Sequence, residues 1–321
     1  MNIDSSPLEA PLIDCHAHLN WPEFSDDIET VLKSARAHGV VGVLLVAMDQ
    51  RCEPGLSRLV RLGVENADTM PHLARALGVH PILASAPETD LIELERLVEA
   101  HAGELAAVGE CGLDASLKIM PKDAPAEQND ATREKQIACL KKQIELAVRH
   151  RLPLNVHSRS AGQRTIELIC NELLTIEPSK RVPVLMHAFD GKAAHAAAAA
   201  ARTDVRFYFS VAPSIVRGEQ LQKMVAAVPM NRLVLESDAP GLGPTLGVRN
   251  EPSRIVMSAR AIAQIRQCDV RQVALQTTRN AIELFPAAFA GLAATLGDLS
   301  SATESFQERS SESAKSTKDS V

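Results

Sequence analysis

Eight short apolar runs recur along the chain, at residues 11–16, 40–47, 73–80, 105–110, 152–157, 182–189, 205–211 and 232–238. Several are apolar almost without interruption, which is the pattern of parallel strands covered on both faces. Between most of them lie stretches with helical spacing. Residues 25–39 place Ile28, Leu32 and Ala35 one turn apart, with Ser25 as the expected N-cap and Gly39 as the stop. Residues 133–153 bring Ile137, Leu140, Ile144 and Val148 onto one face before Pro153, and four further helical patterns cover 162–174, 218–229, 249–267 and 269–285. Strands alternating with helices over this length predict an α/β chain folded as a (β/α)8 TIM barrel, in preference to a doubly wound sheet. Residues 114–130 read as a long irregular loop after the fourth strand. The expected organisation is a single barrel domain over 1–287 and a disordered tail over 288–321, Ser-rich and polar from 299 onward with almost nothing to bury.

Composition narrows the partners. The chain has 321 residues, 45% of them apolar, enough for a sizeable core. Forty acids against 34 Lys and Arg give a formal charge of -6, so no general basic field holds long nucleic acid, and phosphate recognition must be local. Six scattered cysteines without a CxxC pair read as reduced thiols. The first residues lack the pattern of a secretory signal, and no run approaches the ~18 apolar residues of a membrane span, so the expectation is a cytoplasmic protein with no membrane contact and no obligate protein partner.

Polar residues of metal-binding type collect at the ends of the predicted strands. His16 and His18 end the first, His80 the third, Glu110 the fourth, His157 the fifth, His187 the sixth and Asp238 the eighth. In a barrel these ends surround one mouth. An HxH pair on extended chain aims both imidazoles the same way. Four histidines and two acids exceed the needs of one tetrahedral ion and suit two divalent ions, zinc, manganese or magnesium, sharing a carboxylate. Such a pair can activate water and clamp an in-line displacement at phosphorus. The plainer reading of each residue alone is a strand cap, a turn acid before Pro240, or a strand terminator before Pro81.

The same positions carry a resemblance. "DCHAHL" at 14–19, "GVHP" at 78–81, "GECGLD" at 109–114, "LPLNVHSRSA" at 152–161, "HAFDG" at 187–191, "ESDAP" at 236–240 and "RNEP" at 249–252 resemble, in order, the motifs of the TatD-type metal-dependent deoxyribonucleases of the amidohydrolase-like superfamily. The likeness spans Leu12 to Phe285 and is strongest to the branch of the TatD domain-containing protein three. It implies a (β/α)8 barrel with His16 and His18 on one ion, His157 and His187 on the other, and Glu110 shared. It implies Asp238 as a ligand that also orients or deprotonates the attacking water, and a reaction on DNA, trimming single strands from the 3′ end. Ser237, Cys111 and Cys15 stand where the family often has other residues, and the 114–130 loop differs from the family's short aromatic-bearing segment.

Two divalent ions against Glu110 and Asp238 leave a formal site charge of about +2, favourable for a phosphodiester. Arg159, Lys192, Arg217 and Arg249 follow strands five to eight and are candidates to touch neighbouring phosphates. Asp14 is a candidate to hold a histidine tautomer, His80 a candidate accessory group, and Asn250 with Glu251 a brace for the last loop. Aromatics are sparse, with Trp21, Phe24 and Phe189 nearest the mouth, so sequence-specific recognition is not expected. Two alternatives stay open: the same barrel hydrolysing a small phosphoester or cyclic amide, and a non-catalytic barrel that acts as a binding protein.

Overall fold

The structure is a computed structural model that describes residues 1–83 and 87–295. Its strands and helices alternate: β1 (Leu12–Ala17), α1 (Ile28–Ala37), β2 (Val40–Val46), α2 (Glu53–Glu65), β3 (His72–Leu77), α3 (Pro87–His101), β4 (Leu105–Gly112), α4 (Ala126–His150), β5 (Leu154–His157), α5 (Gly162–Leu174), β6 (Val184–Met186), α6 (Ala193–Ala200), β7 (Phe207–Val211), α7 (Glu219–Ala227) and β8 (Leu233–Leu235). Then come α8 (Ile255–Arg266), α9 (Val270–Leu284) and α10 (Pro286–Thr295). All eight strands pair in parallel with their sequence neighbours, and β8 closes on β1, forming a (β/α)8 barrel.

The strands read as uninterrupted apolar runs because their alternate residues face two different interiors. Ile13, Leu44, Val46, Ala74, Ala76, Leu185, Tyr208 and Val234 cluster together, whereas Leu12, Val43, Leu45, Leu73, Leu77 and Val108 pack in the larger cluster with the helices. The first cluster also takes Phe285 and Phe289, so the segment from α9 into α10 closes the end of the barrel opposite the polar mouth. Phe289 is fully buried, and a Cβ added at Gly42 on β2 would meet its ring at 3.0 Å. The helix α10, which runs across residue 287, the expected domain boundary, thus contributes a buried aromatic to the barrel; residues 296–321 of the expected tail lie outside the described residues.

Two other expectations shift. Ser25 does not cap α1, since its hydroxyl donates to the Pro22 carbonyl in a short turn and α1 starts at Ile28. The loop after β4 ends at residue 125, where α4 begins with Ala126. Gly39 does stop α1: it has φ +89, and a Cβ there would lie 2.6 Å from the Leu8 carbonyl oxygen. No helix among the described residues is long and apolar enough to cross a membrane, and all six cysteines are free.

The longest helix also sets up the mouth. On α4, Gln136 and Gln143 are buried seven residues apart. The Gln143 amide exchanges hydrogen bonds with the backbone of Val79 (2.8 and 3.0 Å), and Gln136 does the same with Asp114 (3.0 and 3.1 Å). These amides satisfy backbone groups that have left the sheet, and so fix the segments that carry His80 and Asp114.

Candidate metal centre

At the C-terminal end of the barrel, β1 and the loop after β8 supply one cluster of donor atoms. The His16 and His18 Nε2 atoms are 3.1 Å apart, lie 3.5 and 3.4 Å from Glu110 Oε2, and 3.7 and 3.5 Å from Asp238 Oδ1. The far side of each ring decides what faces this cluster. His18 Nδ1 lies 3.0 Å from the Val46 carbonyl oxygen, which can only accept, so Nδ1 carries a proton. His16 Nδ1 donates to Asn155 Oδ1 at 2.9 Å, and the Asn155 amide is oriented by donation of its own N–H to the Cys15 carbonyl. Both Nε2 atoms therefore present lone pairs to two carboxylate oxygens, an arrangement that requires a proton or a cation between them.

The other oxygen of Glu110 faces a second cluster. Glu110 Oε1 is 2.9 Å from His157 Nδ1 and 3.5 Å from His187 Nε2. Again the opposite ring nitrogens are held by acceptors: His157 Nε2 by Asp114 Oδ2 at 3.1 Å, and His187 Nδ1 by Glu236 Oε2 at 2.9 Å. Glu236 also accepts from the Ala188 N–H at 3.1 Å, and the His16 and His187 rings stack with centroids 3.6 Å apart. Two of the close approaches depend on special backbone. A Cβ at Gly112 (φ +147) would fall 1.9 Å from the His157 carbonyl oxygen, so only glycine lets β4 lie this close to β5. Asp238 has φ +49, tolerated by aspartate, with its N–H on the His16 carbonyl at 2.9 Å.

The electrostatics follow from this crowding. Burial alone would raise the Glu110 carboxyl, but the imidazoles of His80, His157, His16 and His18 packed around it hold it well below the usual carboxylate range. Burial likewise would lower His18, yet Asp238 and Glu110 outweigh it and push the imidazole up to about 10. His187, buried but beside Glu236 and Glu110, rises to about 9. His16 is lowered by burial and by His187. The protons these groups retain occupy the lone pairs that a metal ion would take. Asp238 is the most solvent-accessible of the convergent donors, its side chain 16% exposed against 7% or less for the histidines and Glu110.

His80 belongs to the cluster with a different role. Its Nε2 is 3.3 Å from both Glu110 Oε1 and His157 Nδ1, a geometry that could also hold an ion. However, the Ile82 N–H donates to His80 Nδ1 at 3.0 Å, which puts the ring proton on Nε2. Burial keeps this imidazole neutral, below its ordinary pKa. His80 thus points an N–H at the Glu110 carboxylate.

The six residues named as ligands all converge, while the supporting residues differ from expectation. Asp14 does not touch a ring: its Oδ1 accepts the backbone N–H groups of His16 (3.2 Å) and Ser237 (2.8 Å), tying β1 to the loop after β8. Arg249 is not free for a phosphate, since its guanidinium is taken by Asp27 and Glu251 and lies 5.0 Å over the Phe24 ring. Arg217 leans on the Gly243 carbonyl at 3.3 Å, while Arg159 and Lys192 are exposed without a side-chain partner among the described residues. Asn250 does brace the last loop, through the Ser237 carbonyl at 2.7 Å. Phe24 and Phe189 are buried, which leaves Trp21 as the accessible aromatic. Sequence reasoning missed Asn155, Asp114 and Glu236. Asn155 had a signal, as it lies two residues before His157 on the same strand face; Asp114 and Glu236 sit inside the motifs but gave no separate cue.

The sequence model of the TatD related DNase family matches residues 13–286. The human "Deoxyribonuclease TATDN3" is 38% identical over 285 residues, covering 86% of this chain and 94% of that protein. The "3'-5' ssDNA/RNA exonuclease TatD" of Erwinia amylovora is 30% identical, covering 85% of this chain and 99% of the relative. Among solved structures, the TatD homologue YjjV of Escherichia coli superposes with a TM-score of 0.69 at 26% identity, covering 86% of this chain and 98% of that one. On the family match and these identities, the chain belongs to the TatD-related DNase family, within its TATDN3 branch.

Proposed function

We propose that the protein is a metal-dependent deoxyribonuclease that hydrolyses phosphodiester bonds at the 3′ ends of single-stranded DNA, in the cytoplasm, with two divalent ions at the barrel mouth. The observation that carries this reading is the division of Glu110, one oxygen facing His16, His18 and Asp238 and the other facing His157 and His187. The donor set fits the group: each histidine has its second nitrogen held by an acceptor, so its coordinating nitrogen is bare. Bound there, the ions would supply Lewis acidity, making water a nucleophile at neutral pH and offsetting charge on the phosphate.

The chain's own residues do the rest. Asp238, the exposed donor, accepts the proton of the attacking water through its carboxylate. His80 keeps an N–H on Glu110 and steadies the shared carboxylate. Asn155, Asp114 and Glu236 hold the imidazoles in one tautomer through the reaction. Asp114 and Glu236 also change the charge count, since with Glu110 and Asp238 they contribute -4 against the +4 of two divalent ions, leaving about zero instead of +2. Attraction of a phosphodiester then rests on local directed charge and on Arg159 and Lys192 at the rim, in keeping with the overall charge of -6. Such a site takes an end or a short single strand, not a long duplex.

The test is digestion of labelled oligonucleotides blocked at either end, alongside an aryl phosphate and a dihydropyrimidine. Release from 3′-free strands and none from 3′-blocked strands is the expected result. Hydrolysis confined to the small ester or the cyclic amide would replace this reading with the corresponding alternative, and metal-loaded protein inert on all of them would leave a binding protein.

A further inference from the structure

A cavity of about 380 Å³ opens between the segment after β1 and the first turns of α2, lined by Leu19, Asn20, Trp21, Phe24, Arg58 and Leu59. Its volume suits a small planar ligand. Leu19, Phe24 and Leu59 are buried and make an apolar lining. Trp21 separates the cavity from the metal centre: its ring stacks on the His18 imidazole with centroids 5.1 Å apart and planes 25° from parallel. Asn20 Oδ1 is shielded from solvent yet accepts no hydrogen bond among the described residues, a costly state for an amide oxygen that a ligand N–H would relieve once the amide turns toward the cavity. Arg58 is exposed and has no ion pair or hydrogen bond among the described residues.

We propose that this cavity is a nucleobase subsite, which takes the base of the nucleotide adjoining the phosphate under attack. The base lies against Trp21 and the apolar lining, donates an N–H to Asn20 Oδ1, and leaves its flanking phosphate within reach of Arg58. The inference deepens the phosphodiesterase reading and rests on it for the choice of ligand. It also explains how a chain with few aromatics grips a single strand: one wall of indole, one ring away from the metal donors, holds the base in register. Adenine and cytosine bring an exocyclic amine to the unpaired oxygen, whereas thymine has only its ring N–H, so the subsite favours the first two.

Trp21 is the chain's one tryptophan, so indole emission reports from this wall alone. The experiment titrates the full-length protein with dAMP, TMP and 2-deoxyribose 5-phosphate and follows that emission. Saturable quenching by dAMP, about tenfold tighter than by the baseless sugar phosphate and tighter than by TMP, is expected. Gly55 lines the cavity, and a Cβ there meets only Asn20 Cβ at 3.6 Å. Gly55→Leu should therefore fill the space, weaken the quench about tenfold and raise KM for oligo(dA) similarly, with turnover of methyl p-nitrophenyl phosphate unchanged. Asn20→Leu, which removes the acceptor at similar volume, should abolish the margin of dAMP over TMP. Equal responses to dAMP and the sugar phosphate, or a quench that survives in both variants, would overturn the subsite. If no oligonucleotide is cleaved while dAMP still quenches as described, the nuclease reading fails and the subsite stands.

Discussion

The two ends of this barrel are built from the same eight strands and solve opposite problems. At one end Phe285, Phe289 and Tyr208 are buried with Leu44, Ala76 and Val234, and the chain seals the interior with its last helices. At the other, five imidazoles and the carboxylates of Glu110, Asp114, Glu236 and Asp238 crowd into a space where Asp238 alone retains appreciable contact with solvent. The closed end stabilises the fold by apolar burial and close packing. The open end holds lone pairs that repel one another until protons or cations enter, so its geometry is maintained by the surroundings, including two α4 glutamines. Stability and chemistry can be separated in this molecule by choosing the end at which it is changed.

The largest expected effect is at the open end. Asp238→Asn should lower kcat on single-stranded DNA about 10²- to 10⁴-fold, the range for loss of a proton acceptor, with a melting temperature no lower than that of the parent. Calorimetry beside steady-state kinetics checks both halves. At the closed end Phe289→Ala should do the reverse: a stability loss of about 3–5 kcal/mol by denaturant unfolding, from lost contact and the cavity left behind, with kcat per folded molecule unchanged. A substantial fall in kcat there would show that the two ends are coupled. A smaller effect is expected for Glu236→Gln, which loosens the His187 tautomer without removing a donor. Metal affinity should fall about 10- to 100-fold, measured by competition with a chelator.

The mildest prediction concerns pH. His18 and His187 are raised from 6.5 to about 10 and about 9 in the metal-free fold. A raised base contributes stability that is complete below its unfolded pKa and is lost as pH climbs through the folded value. Metal-free protein should therefore lose stability progressively between about pH 6.5 and 10 relative to the metal-loaded form, in which ions hold the same lone pairs. Parallel pH profiles for the two forms would remove the proton-for-metal exchange from the account.

Much of this contrast is legible in the sequence, and unevenly so. Strand ends announce themselves, because a histidine closing an apolar run at 157 or 187 breaks a local pattern. The parallel barrel is legible from near-continuous apolar strands and the helices between them. Three kinds of feature were not. α6 is almost all alanine, so no apolar face distinguishes it; α2 opens with Glu, Pro and Gly, which reads equally as a turn. The plug from α10 looks like a weakening pattern, since Phe289 and Leu292 bury against a barrel floor that exists only after closure. The residues that set tautomers depend on contacts such as His16 to Asn155, 139 positions apart, which no local pattern encodes.

The most direct test of the central claim, a shared carboxylate organising two ions for phosphodiester hydrolysis, is to titrate the metal-free protein with manganese while following nucleotide release from a 3′-labelled single strand. The account predicts release that climbs to a plateau at two equivalents per chain and is lost again with chelator. Full release by the metal-free protein, or a plateau at one equivalent, would contradict it.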